Sequence, residues 1–136
     1  MSVQQTPSPV GQDAPAVAVA RAHVEAWSNH DFEAARVGLA ADVHVTATTT
    51  QPSMPTTDTN GADEYMQGLI TFAGAVIPGS ARVLASIGDE QNALLMLTVD
   101  ADFGGGPVEL TAARLYMLDE EDKIKAEQIV FFTAPN

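Results

Sequence analysis

The sequence predicts an α+β fold in which a long, strongly curved antiparallel sheet wraps round three helices, in the order ααβαββββ. Three observations predict it. Apolar residues recur at helical spacing in most of the chain up to Val76 and at strand spacing after Gly79. Turn residues punctuate the second half at short intervals, as in a hairpin-connected meander. The helices are gathered in the first half, so they are the available cover for the apolar face of the twisted sheet.

Each element has its own signal. From Pro15 to Asn29 the residues Ala16, Val17, Ala20, Val24 and Trp27 share one helical face, and Pro15 suits a first turn. The "NHD" break follows, and Asp31 is placed to cap a second helix over 32–40, with Glu33 in its first turn. An alternating run, Val43 to Thr49, predicts the first strand. A loop rich in threonine and proline is expected over 50–60.

After Gly61, "ADEYMQGLITFAGAV" puts Tyr65, Leu69, Phe72 and Val76 on one face of a third helix, which Pro78 and Gly79 end. Strands are then expected over 81–89, 93–103, 108–118 and 123–133, with turns at 88–92, "GGGP" and "DEED". A sheet closed imperfectly by helices leaves a pocket at its open end.

Composition narrows the function classes. The 136 residues suit a single core, with a disordered tail expected over 1–13 and one domain over 14–136. No cysteine is present, which removes disulfides, thiolate nucleophiles and cysteine-based zinc sites. Eighteen acidic residues against six basic ones give a net charge of −12, so neither nucleic acid nor an anionic membrane surface is an expected partner. With no basic, apolar leader and no run of about 18 apolar residues, the chain reads as cytoplasmic. The three histidines have no metal-binding spacing, and neither a metal nor any other cofactor is expected.

"VARAHVEAWSNHDFEAARVGLAADVHVTAT", "GADEYMQGLITF" and "ARLYMLDEEDKIKAEQIVFF" together resemble the nuclear transport factor 2-like superfamily, in particular its SnoaL-like and ketosteroid isomerase-like branches, over residues 15–133. The resemblance implies a cone-shaped, cystatin-like roll and a homodimer. Isomerases of this kind use a tyrosine in the first helix, an acidic residue in the sheet and a proton-shuttling aspartate at the end of the first strand. On this sequence those positions fall on His23, Arg114 and Ala47. The isomerase reaction itself is therefore not implied.

Four residues are candidates for chemistry. His23 shares the buried face of the first helix, where desolvation favours the neutral imidazole that a general base needs; a hydrogen-bonded core histidine is the structural alternative. If Glu120 and Glu121 form the turn of the last hairpin, Arg114 stands opposite Glu127 and Tyr116 opposite Lys125. In the pocket, Arg114 would orient a carbonyl or carboxylate, Glu127 would hold it or act as acid/base, and Tyr116 would add electrostatic support. An ordinary cross-strand ion pair is the alternative.

The remaining expected lining is apolar: Trp27, Tyr65, Leu69 and Phe72 from helices, and Val45, Ala47, Leu110, Ile129 and Phe131 from strands. Such walls suit a small apolar or polycyclic ligand. Val43, Val45 and Ala47 share the parity that the resemblance assigns to the pocket, which turns His44, Thr46 and Thr48 outward, toward solvent or a partner subunit. The opposite face of the last hairpin, Thr111, Ala113, Leu115, Met117, Ile124, Ala126, Val130 and Phe132, is also apolar, so a second subunit is expected to cover it. Two functions follow: proton transfer, isomerisation or cyclisation on a small carbonyl compound, or a non-catalytic dimeric binding module. An epoxide-hydrolase variant of the fold is a weaker third option, because its acidic and basic residues close together on strands are not matched here.

Overall fold

The structure, a computed structural model, describes residues 14–49 and 57–132. Three helices, α1 (Pro15–Ser28), α2 (Phe32–Val37) and α3 (Ala62–Ala73), cover one face of a six-stranded sheet. Its strands are β1 (Leu39–Thr49), β2 (Thr57–Asn60), β3 (Arg82–Gly88), β4 (Asn92–Asp102), β5 (Pro107–Leu118) and β6 (Ile124–Phe131), in the spatial order β2-β1-β6-β5-β4-β3. All neighbours are antiparallel except β1 and β6. The predicted fold class holds. The tail expected over 1–13, the loop residues 50–56 and the expected strand end at Thr133 lie outside the described residues.

Local sequence explains most boundaries. The stripe Ala16, Val17, Ala20, His23, Val24 and Trp27 is the buried face of α1, and the Asp31 carboxylate accepts the Ala34 N–H to start α2. That helix stops at Val37, three residues short of expectation. Leu39 instead pairs with Ile124 and the Gly38 carbonyl accepts the Ile124 N–H, so sheet pairing captures the end of the helical pattern. α3 ends at Ala73, and Val76 forms an isolated bridge to Ala101. The expected loop also contributes a short strand: Thr57–Asn60 pairs with His44–Ala47.

The last hairpin departs from the predicted register by two residues. Arg114 pairs with Ile129, Tyr116 with Glu127 and Ala112 with Phe131. The connection is wider than two residues: Asp119 N–H bonds the Lys123 carbonyl, and the Asp119 side chain accepts the N–H groups of Glu121 and Lys123. Asp122 adopts φ 62°, which this turn requires. A bulge between Met117 and Leu118 then leaves Lys125 unpaired and exposed. Ile124, expected on the outer face, is instead fully buried. A shift of two preserves parity, so Arg114, Tyr116, Glu127 and Ile129 still share the inner face.

Candidate functional site

A pocket of about 370 Å³ opens between α3, β1, β2, β5 and β6. Its walls include Val45, Ala47, Tyr65, Leu69, Phe72, Ile129 and Phe131, all expected there. Thr57, Thr59 and Gly68 join them, as does Thr48, which had been expected to face outward. Thr57 and Thr59 come from β2, whose pairing with β1 no local hydrophobic pattern announces. Trp27 and Leu110 lie off the pocket surface in the core, at 0% and 3% exposure.

Among the described residues, Arg114 is the one charged side chain in this lining. It is 2% exposed, and its Nη1 donates to Glu127 Oε2 at 3.0 Å, with Glu127 fully buried. The pair is therefore an interior ion pair. The two-residue register shift makes it diagonal, Arg114 reaching past its own partner Ile129 to Glu127, which stands opposite Tyr116. The guanidinium also lies over the Trp27 ring, 4.8 Å from its centroid, and 6.0 Å from that of Phe131. Such contacts are worth up to roughly 2 kcal/mol when desolvated.

From Arg114 and Tyr65 in the wall the cluster continues inward. Tyr65, held by α3, donates from its hydroxyl to Glu127 Oε1 at 2.5 Å. His23, held by α1, places Nε2 3.3 Å from the same hydroxyl and Nδ1 3.2 Å from the Ala35 carbonyl. The Tyr116 ring meets His23 edge-on at 6.1 Å. Four elements thus converge on one point: α1, α3, β5 and β6. Among the described residues three buried polar atoms have no partner in good hydrogen-bond geometry, Trp27 Nε1, Arg114 Nε and the Tyr116 hydroxyl, although the last lies close to the Glu127 and Arg114 side chains. All three belong to side chains gathered about the Arg114 guanidinium, and each can donate.

Burial sets the electrostatics. It pulls the His23 imidazole below its ordinary value, with Arg114 adding to the effect and Glu127 opposing it. Burial, then the Glu127 carboxylate, hold both Tyr65 and Tyr116 well above the ordinary phenol value. Burial alone would lower Arg114, but Tyr116, Glu127 and Tyr65 outweigh it and keep the guanidinium charged.

His44 faces outward and bonds Asp58 on β2 at 2.7 Å, away from the pocket. Ala47 contributes only a methyl group to the wall. Among the described residues no group of three His, Cys, Asp or Glu side chains is arranged to hold a metal ion, and no helix is long and apolar enough to cross a membrane.

Solved structures share this architecture. A Kribbella flavida protein is 24% identical and superposes with a TM-score of 0.73, covering 88% of each chain. A nuclear transport factor 2-like protein from Cytophaga hutchinsonii is 15% identical, with a TM-score of 0.66, covering 90% of this chain and 94% of its own. A Mycobacterium tuberculosis protein solved in complex with estradiol-17beta-hemisuccinate is 15% identical, with a TM-score of 0.71 over 86% of this chain and 93% of its own. No curated protein matches the chain. The SnoaL-like domain family matches residues 20–127, from the first helix to the carboxylate of the buried pair, and the chain belongs to that family within the nuclear transport factor 2-like fold.

Proposed function

We propose that this protein binds a small, largely apolar or polycyclic ligand bearing an acceptor oxygen, and catalyses proton transfer on it in an isomerisation or cyclisation. One observation carries the reading: a buried polar cluster of His23, Tyr65, Arg114, Tyr116 and Glu127 reaches a largely apolar pocket of about 370 Å³. In that reading the Arg114 guanidinium faces the ligand oxygen, Glu127 fixes the guanidinium, and His23 is the acid/base acting through Tyr65. The fold relative that binds a steroid ester supports the ligand class.

The chain's single tryptophan gives the test, because the Arg114 guanidinium sits on its ring. Polycyclic ketones are expected to change Trp27 fluorescence on binding, with affinity reduced at least tenfold in Arg114→Met. Turnover is expected for a subset of them and is lost in His23→Ala. Binding that Arg114→Met does not weaken removes the pocket assignment. Turnover unchanged in His23→Ala removes the catalytic one.

A second reading rests on Ala47, which supplies no carboxylate where a proton shuttle is expected, and on Arg114 being locked to Glu127. It makes the domain a binding module. Fluorescence titration with binding but no turnover across the ketone series distinguishes it. Either reading is proposed for a homodimer joined through the outer sheet face, where Ile87, Leu94, Met96 and Phe132 are exposed beside half-buried Leu115 and Met117.

A further inference from the structure

Hydrogen bonding inside the buried cluster fixes a proton count. The Ala35 carbonyl can only accept, so the His23 Nδ1 facing it at 3.2 Å must carry a proton. The next contact is His23 Nε2 to the Tyr65 hydroxyl at 3.3 Å, and the next is that hydroxyl to Glu127 Oε1 at 2.5 Å. Three contacts in series need three protons. A neutral imidazole brings one, a phenol one and a carboxylate none.

In those ordinary states the chain is one proton short. With Tyr65 turned to Glu127, its oxygen meets the bare lone pair of His23 Nε2. Turned to His23, it meets a carboxylate lone pair at the shortest contact in the cluster. Burial leaves no solvent to repair either conflict, since His23 is 4% exposed and Glu127 0%.

We propose that the His23–Tyr65–Glu127 chain holds one proton beyond what neutral histidine, neutral tyrosine and ionised glutamate supply, making the pocket wall a loaded acid. Two arrangements satisfy every contact and interconvert by sliding protons along the chain. In one, an imidazolium at His23 donates to Ala35 and Tyr65, and Tyr65 donates to the Glu127 carboxylate. In the other, a carboxylic acid at Glu127 donates to Tyr65, which donates to neutral His23.

The charged and titratable groups around the chain pull in opposite directions. Burial and Arg114 from β5 disfavour the imidazolium, while Glu127 from β6 favours it. The ion pair with Arg114 is complete only when Glu127 is ionised. Tyr65 from α3 and Tyr116 from β5 are both held as neutral phenols, and α2 presents the Ala35 carbonyl.

The use of this proton rests on the function proposed above. Of the three chain residues only Tyr65 lines the pocket. A ligand oxygen there takes the Tyr65 hydroxyl proton as Tyr65 receives one from His23 Nε2 or Glu127 Oε1. One O–H bond breaks and one forms at Tyr65, the ligand oxygen gains a proton, and the chain falls to its two-proton state.

The test needs no ligand, which separates it from the pocket reading. In the full-length, isotope-labelled protein at neutral pH, the imidazole nitrogen signals of His23 and the carboxyl carbon signal of Glu127 report the proton directly. Both His23 nitrogens protonated, or Glu127 as the acid, is the expected result. A neutral His23 beside an ionised Glu127 overturns the proposal. Tyr65→Phe removes one hydroxyl and the link; it is expected to return both partners to their ordinary states, and an extra proton that survives the substitution also overturns the chain as its cause.

Discussion

Arg114 shows how much a single position depends on its surroundings. The sequence put Glu127 directly opposite Arg114 in a register that the structure shifts by two, so the contact is made on the diagonal instead; an exposed cross-strand pair is worth at most about 1 kcal/mol, whereas this one is interior. Removing one member leaves the other charge stranded. Glu127→Gln is expected to cost about 3–5 kcal/mol in urea unfolding, and replacing both residues with apolar ones of similar volume to cost much less. A loss under about 1 kcal/mol would mean that water reaches the pair. The two tyrosines give a second residue-scale prediction, because Tyr65 and Tyr116 are the only ones in the chain and both are buried here. Their folded-state values are raised above the ordinary 10.0. The folded chain therefore binds more protons than the unfolded chain in alkali, so stability is full below pH 10.0 and falls as pH rises through the folded values. Tyrosinate absorbance is expected to appear only with unfolding, as judged by circular dichroism on the same samples. A tyrosine titrating near its ordinary value in the folded protein contradicts this.

Elements follow sequence pattern in type and tertiary pairing in extent. The α1 stripe, the Asp31 cap and the period change after Gly79 were all readable, because each depends on neighbours a few residues away. The end of α2, strand β2 and the register of the β5–β6 hairpin were not. Each is set by a partner or turn geometry that spacing does not encode: Ile124 for the start of β1, β1 for β2, and the Asp119 side chain for the hairpin. Gly88 offers a test at this scale. A Cβ there would lie 2.6 Å from the Asn92 carbonyl oxygen and 2.8 Å from Val17 Cγ2, where α1 closes on the β3–β4 hairpin. The Ala16 N–H bonds the Asp89 carbonyl at the same junction. Gly88→Ala is expected to destabilise by about 1–3 kcal/mol through overpacking, measured by thermal or urea unfolding, although the residue is on the surface. No change would mean that α1 is free to move away from the hairpin.

At the scale of the whole molecule, two apolar faces on one sheet need two covers, and the helices supply one. Ile87 at 70% exposure and Leu94 at 41% sit opposite each other on β3 and β4 of the uncovered face. Sedimentation is expected to show a dimer that Leu94→Glu converts to monomer without unfolding, since the residue lies outside the core. A monomeric parent chain would refute the arrangement. The sequence by itself determined the α+β class, the helical cover and the apolar character of most of the pocket wall, because these follow from periodicity, which is local; which face of the last hairpin is the inner one it left open, since both faces are apolar. Only the tertiary structure decided that β1 lies parallel to β6, that β2 joins the pocket wall, and that His23 and Tyr65 meet Glu127 and Arg114 in one buried chain. The Tyr65–Glu127 bond alone links residues 62 positions apart, and the pairing that brings such residues together is set by packing over the whole sheet rather than by any stretch of neighbouring residues.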